Sequence, residues 1–136
     1  MEIIKLKPSL AEEGLQAIKP LLSDLVTYVR EVASNALMEI IKQKPSLADE
    51  GLQAIKLLFS DGKWKVRKAA SNALIEIIKQ KPSLAEEGLQ AIKPLLSDLI
   101  AYVREVASNT LMEIIKQKPS LAEEGLQAIK PLLGDK

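Results

Sequence analysis

Apolar residues recur along the chain at steps of three and four, and no stretch alternates with period two. On a wheel of about 100° per residue, Leu10, Gly14, Ala17, Ile18 and Leu21 share one face, and Glu12, Gln16 and Lys19 lie opposite. This predicts a first helix from Ser9 to about Leu22. Ser9 with Glu12 three residues on reads as a capping box, each side chain bonding an orphan amide of the first turn. A second stripe, Val29, Ala33, Ala36, Leu37 and Ile40, predicts a second helix from near Tyr28 to about Gln43. Pro45 then ends it, because the residue before a proline avoids the helical region.

The same pattern returns. Lys-Pro-Ser-Leu begins at Lys7, Lys44, Lys81 and Lys118, each 37 residues after the last. Full units are 7–43, 44–80 and 81–117, with a half-unit at 1–6 and another at 118–136. Residues 1–136 are therefore one array. Units one and three differ at Val26/Ile100, Thr27/Ala101 and Ala36/Thr110 alone. Such near-identity fits tandem duplication or an engineered consensus repeat equally well. The capping pairs recur as Ser46/Asp49, Ser83/Glu86 and Ser120/Glu123.

Two residue types disfavour a helix interior. Gly14, Gly51, Gly88 and Gly125 each cost about 1 kcal/mol against alanine, and their place on the apolar face predicts a close approach of another helix. Pro20, Pro94 and Pro131 are predicted to kink the first helix, although Leu57 stands there in unit two.

Composition narrows the chemistry. Cysteine and histidine are absent, which removes disulfides, Cys/His zinc sites and histidine-based acid–base catalysis. No cofactor or metal is expected, and the chain reads as no enzyme. Adjacent carboxylates such as Glu12-Glu13 and Glu86-Glu87 diverge by about 100° on a helix and make poor catalytic dyads. The apolar runs are too short for a membrane span, so a cytoplasmic protein is expected. The net charge of +1 disfavours nucleic acid and membrane as general partners. It divides unevenly: units one, two and three carry −1, +3 and −1, and the terminal pieces carry none.

The unit resembles a HEAT repeat. The matching residues are Pro20, Leu21, Leu22, Asp24, Val29, Arg30, Ala33, Ala36, Leu37 and Ile40. They recur in unit two as Asp61, Trp64, Val66, Arg67, Ala70, Ala73, Leu74 and Ile77. Unit three supplies Pro94, Asp98, Val103, Arg104, Ala107, Leu111 and Ile114. The resemblance implies an all-α fold, a right-handed α-α superhelix or solenoid of two-helix repeats. It also implies second helices along a concave face. It implies a structural ladder between units, in which Asp24, Asp61, Asp98 and Asp135 alternate with Arg30, Arg67 and Arg104. The guanidinium fork suits both a carboxylate and the carbonyls of the turn.

A non-catalytic scaffold for protein–protein interaction follows as the leading function. The candidate concave binding face is the outward stripe of the second helices: Glu31, Asn35, Met38 and Lys42, then Lys68, Asn72, Ile75 and Lys79, then Glu105, Asn109, Met112 and Lys116. Ser34 and Glu39 flank it. Stacked units would align amide, apolar and lysine rows able to hold a peptide or helix. A basic-aromatic turn, Lys63, Trp64, Lys65 and Lys68, offers an alternative site for nucleic acid or an acidic partner, against a tryptophan packed over the turn. An accessory role to a lyase-like enzyme is a further alternative that the resemblance allows. Leu25-Val26 and Leu99-Ile100 either plug a neighbouring unit or form a sticky edge. Leu121, Leu126, Ile129, Leu132 and Leu133 keep an internal pattern in the last helix. With the stub Met1–Leu6, this predicts uncapped ends and a homo-oligomer or domain swap.

Overall fold

The computed structural model describes residues 8–133. It is all-helical, and no strand occurs among the described residues. Four short helices, α1 (Ala11–Ile18), α3 (Ala48–Ile55), α5 (Ala85–Ile92) and α7 (Ala122–Leu133), alternate with three long ones, α2 (Thr27–Gln43), α4 (Trp64–Gln80) and α6 (Ala101–Gln117). The long helices lie side by side, α2 on α4 and α4 on α6. Each short helix that precedes a long one packs on it, and α3, α5 and α7 each also touch the long helix before them.

The long helices begin where an aspartate folds the turn. Asp24, Asp61 and Asp98 accept at Oδ1 from the amides of Val26, Lys63 and Ile100 at 2.8, 2.9 and 2.9 Å. This aspartate turn supplies the chain reversal that a helix entry needs. The helices end before the prolines. Lys44, Lys81 and Lys118 are extended, near φ −140°, and their amides close the last turn at 2.9 Å.

The short helices depart from expectation in three ways. The serine capping boxes do not form. Pro8, Pro45, Pro82 and Pro119 each open a 3-10 turn, and Leu10, Leu47 and Leu84 precede their helices with no side-chain cap. Proline fixes the entry, so the serine sits inside the turn and not in the extended conformation a capping residue requires. The α-helix also stops at Ile18, Ile55 and Ile92, and a 3-10 segment continues to Ser23, Ser60 and Ser97. Proline does not cause this tightening. It occurs at Leu57, while Pro131 lies inside the unbroken α7.

The third difference is the buried face of α1, which is Ala11, Leu15 and Ile18, continued by Leu22. Ala17 and Leu21 are exposed, and Leu10 and Gly14 are half-buried. The wheel was centred about one residue out. A late start and an early 3-10 ending leave too few α-helical residues to average out the error.

The glycines mark where short helices cross the preceding long ones. A Cβ on Gly51 would lie 2.8 Å from Ile41 Cδ1, and one on Gly88 2.9 Å from Ile78 Cδ1. Close approach offsets the propensity cost of glycine there. Leu37, Ile40 and Ile41 with Leu74, Ile77 and Ile78 are fully buried beneath these crossings. Each such side chain contributes about 1.5–3 kcal/mol by leaving water.

Candidate interaction surface

Arginine and aspartate tie the long-helix layer together. Arg30 donates from Nε to Asp61 Oδ2 at 2.8 Å and from Nη2 to Asp61 Oδ1 at 3.0 Å. Arg67 repeats this with Asp98 at 2.6 and 2.9 Å. The third donor, Nη1, reaches the carbonyl that opens its own helix: Arg30 to Asp24, Arg67 to Asp61 and Arg104 to Asp98. Arg30 and Arg67 therefore fasten their own turns while gripping the next, and Arg104 fastens its own. Asp135, the expected partner of Arg104, lies outside the described residues.

These contacts set the proton affinities. The Arg67 bond holds the Asp98 carboxyl below the ordinary carboxylate range against the opposing effect of burial. Burial pushes Asp61 upward most strongly, but the Arg30 bond, the Lys63 amide and the charges of Arg30 and Arg67 together bring it below that range. Arg30 and Arg67 are correspondingly raised, chiefly by the same bonds.

A second set of ion pairs joins the short-helix side, and the sequence reading missed it. Gln16 and Lys19 bond Glu50, Gln53 and Lys56 bond Glu87, and Gln90 and Lys93 bond Glu124. Those bonds, the lysine's first, hold all three glutamates below their usual range. The residues expected to cap helices pair elsewhere: Glu12 with Lys44, Asp49 with Lys81, and Glu86 with Lys118. The adjacent carboxylates thus turn to different partners. The available signal was the recurring separation of 31 residues, shared by Lys19–Glu50 and Arg30–Asp61.

The outward stripe is accessible at all twelve positions. Lys68, Asn72 and Ile75 on α4 are half-buried, as are Glu31 and Met38 on α2. On α6, Glu105, Asn109, Met112 and Lys116 are exposed, Met112 to 63%. Lys42 and Lys79 are exposed, as is Asn35. Ser34 does not flank the stripe as expected. It is fully buried between α2 and α4, as Ser71 is between α4 and α6, because the long helices approach on that side. Glu39 stands half-buried, 3.8 Å from Lys42.

The basic-aromatic turn is built around two rings. Trp64 packs against the core and stacks on Tyr102, with ring centres 5.8 Å apart and planes inclined by 22°. Lys65 Nζ lies 5.8 Å from the Trp64 ring, and Lys68 Nζ 5.6 Å from the Tyr102 ring. Lys63 is exposed. Of the apolar turn residues, Leu25 and Leu99 plug nothing: they are 97% and 94% exposed. Ile100 is half-buried and does pack against the core. Val26, at the place of Ile100 in the first turn, is 56% exposed, so the inward plug is made in unit three and not in unit one.

No group of acidic residues that could hold a metal occurs among the described residues, and no described helix is long and apolar enough to cross a membrane. The chain matches no family model, no curated protein and no solved structure.

Proposed function

We propose that the chain is a right-handed α-solenoid of HEAT-type 37-residue units that serves as a non-catalytic cytoplasmic scaffold, holding another protein against its long helices. In this reading the long-helix layer is the concave face. One observation carries it. Asn35, Asn72 and Asn109, Met38, Ile75 and Met112, and Lys42, Lys79 and Lys116 occupy matched places on three adjacent helices, and all remain accessible. Amide groups of this kind bond an extended backbone or a helix terminus, and methionine adapts to varied side chains.

The test is affinity capture from the source cell with the wild-type chain and with an Asn72→Ala/Met112→Asp variant. Loss of a captured protein from the variant, with an unchanged circular dichroism melt, supports the reading. Equal capture by both overturns it.

A second reading places an acidic partner or nucleic acid at Lys63, Lys65 and Lys68. The Trp64–Tyr102 stack with its two overlying lysines supports it. Binding to a single-stranded oligonucleotide or an acidic peptide would then weaken with salt and fall in a Lys63→Gln/Lys65→Gln variant.

A further inference from the structure

The turns that open the long helices form one rim of the molecule. The Arg30–Asp61 bond joins the first turn to the second, and Arg67–Asp98 joins the second to the third. Their tips, Leu25, Gly62 and Leu99, therefore follow one another in a row. At the spacing of packed helices, Leu25 and Leu99 stand about 16–20 Å apart. Both leucines are almost wholly in water. Their place in the array does not explain it. Leu99 has unit two before it and α7 after it, and is still as bare as Leu25.

The rim also carries amphipathic rings and unpaired charge. Trp64 and Tyr102 stack beside the tips, with Lys65 over one ring and Lys68 over the other. Lys63 and Lys65 are exposed. Asp61 and Asp98 are taken by arginines, and the ion pairs among the described residues do not involve Lys63, Lys65 or Lys68. Glu31 and Glu105 stand at the place of Lys68 in the flanking units, so the positive charge is centred between the two leucines. The opposite rim differs. Its turns, Lys44-Pro45-Ser46, Lys81-Pro82-Ser83 and Lys118-Pro119-Ser120, expose no large apolar side chain.

We propose that the rim of Leu25, Trp64, Leu99 and Tyr102 docks on the surface of an anionic lipid bilayer. The shape and the charge select this partner. The leucines protrude singly from convex turns, so a protein would need a recess for each one in fixed register with carboxylates for the lysines. A bilayer needs no such match. Its acyl boundary admits the leucines, its headgroup level holds the tryptophan and tyrosine rings, and its anionic headgroups meet Lys63, Lys65 and Lys68. The attraction acts over about a Debye length, roughly 8–10 Å, so the +3 of unit two governs it and not the +1 of the whole chain. The chain lies on the membrane in this pose, since no described helix can cross one. The long helices stand away from the lipid and keep their outward stripe free. The proposal therefore goes beyond the scaffold reading and does not depend on it.

Trp64 is the only tryptophan, so its fluorescence reports the contact directly. The full chain is mixed with vesicles of phosphatidylcholine alone, or with roughly one third phosphatidylserine. We expect it to sediment with the charged vesicles only, with a blue shift of Trp64 and quenching by brominated acyl chains. Raised salt should release it. Leu25→Ser/Leu99→Ser should weaken partitioning about tenfold or more, with an unchanged melt because both side chains are already in water. Lys63→Gln/Lys65→Gln should weaken it about fivefold for each lysine removed. Lys42→Gln/Lys79→Gln, toward the far ends of the long helices, should leave it unchanged. Failure to sediment with charged vesicles overturns the proposal, as does binding indifferent to the two leucines or equally sensitive to Lys42 and Lys79. If vesicles are ignored while an acidic peptide or an oligonucleotide binds and is lost in Leu25→Ser/Leu99→Ser, the rim belongs to that macromolecule and the proposal fails. Capture through Asn72 and Met112 is a separate measurement, and its failure would not alter these results.

Discussion

The middle long helix and the two that flank it carry almost the same residues, yet they live in different surroundings. On α4, Val66, Ala69, Ala70, Ser71, Ala73, Leu74, Ile77 and Ile78 are all buried. On α2 the face toward the open edge is half-exposed, with Val29, Val32 and Ala36 accessible. On α6 it is the opposite face that opens, at Ser108 and Met112. Burial at a given repeat position is thus a property of the neighbour, as in any array stabilised by interfaces between adjacent units.

The comparison can be broken most strongly at the ladder. Arg67→Ala removes a two-point grip on a nearly buried carboxylate and a bond to the Asp61 carbonyl. It should cost about 2–4 kcal/mol. Arg104→Ala, whose one hydrogen bond among the described residues is to the Asp98 carbonyl, should cost clearly less. Urea unfolding of the two variants checks the order, and equal losses would remove the distinction between middle and edge.

Packing gives a sharper contrast at smaller size. Ser71→Leu forces a large side chain between α4 and α6 and should destabilise by about 1–3 kcal/mol. Ser108→Leu, in the same local sequence but exposed, should stay within about 0.5 kcal/mol. Thermal melts decide this pair.

Acid should loosen the ladder. Asp61 and Asp98 have lowered carboxyl pKa values in the folded chain. The stabilisation is fully present above the unfolded aspartate value of about 3.9 and is lost as pH falls through the lower folded values. Stability measured from pH 6 down to 2 should therefore fall less steeply for an Asp98→Asn variant than for the wild type.

The smallest effect belongs to the short-helix side. Lys56 and Glu87 pair at 2.5 Å, but both are more than a third exposed. Lys56→Met should change stability by no more than about 1 kcal/mol, and added salt should erase the difference. A larger, salt-insensitive loss would make the two sides of the layer equivalent.

Much of this was legible in the residues. The stripe from Val29 to Ile40 and the proline after it marked the long helices to within one residue at each end. The ladder of aspartates and arginines was implied by the resemblance of the unit, the fork of arginine suits both a carboxylate and a carbonyl, and Arg30 makes both bonds. The short helices were read less well. Their capping pairs have the right residues at the right spacing, but a proline one position earlier and a lysine of the next unit compete for the same groups.

The sequence by itself determined that the chain is helical and where its long helices begin and end. These depend on local periodicity, on proline and on hydrogen-bonding chemistry, all written within a few residues. Only the tertiary structure decided that Ser34 and Ser71 are buried while Ser108 is not, that Gly51 and Gly88 lie under isoleucines, and that no arginine bonds the Asp24 carboxylate among the described residues. Identical residues cannot differ by local rules. They differ because a neighbouring helix removes water from one copy and leaves it on the other.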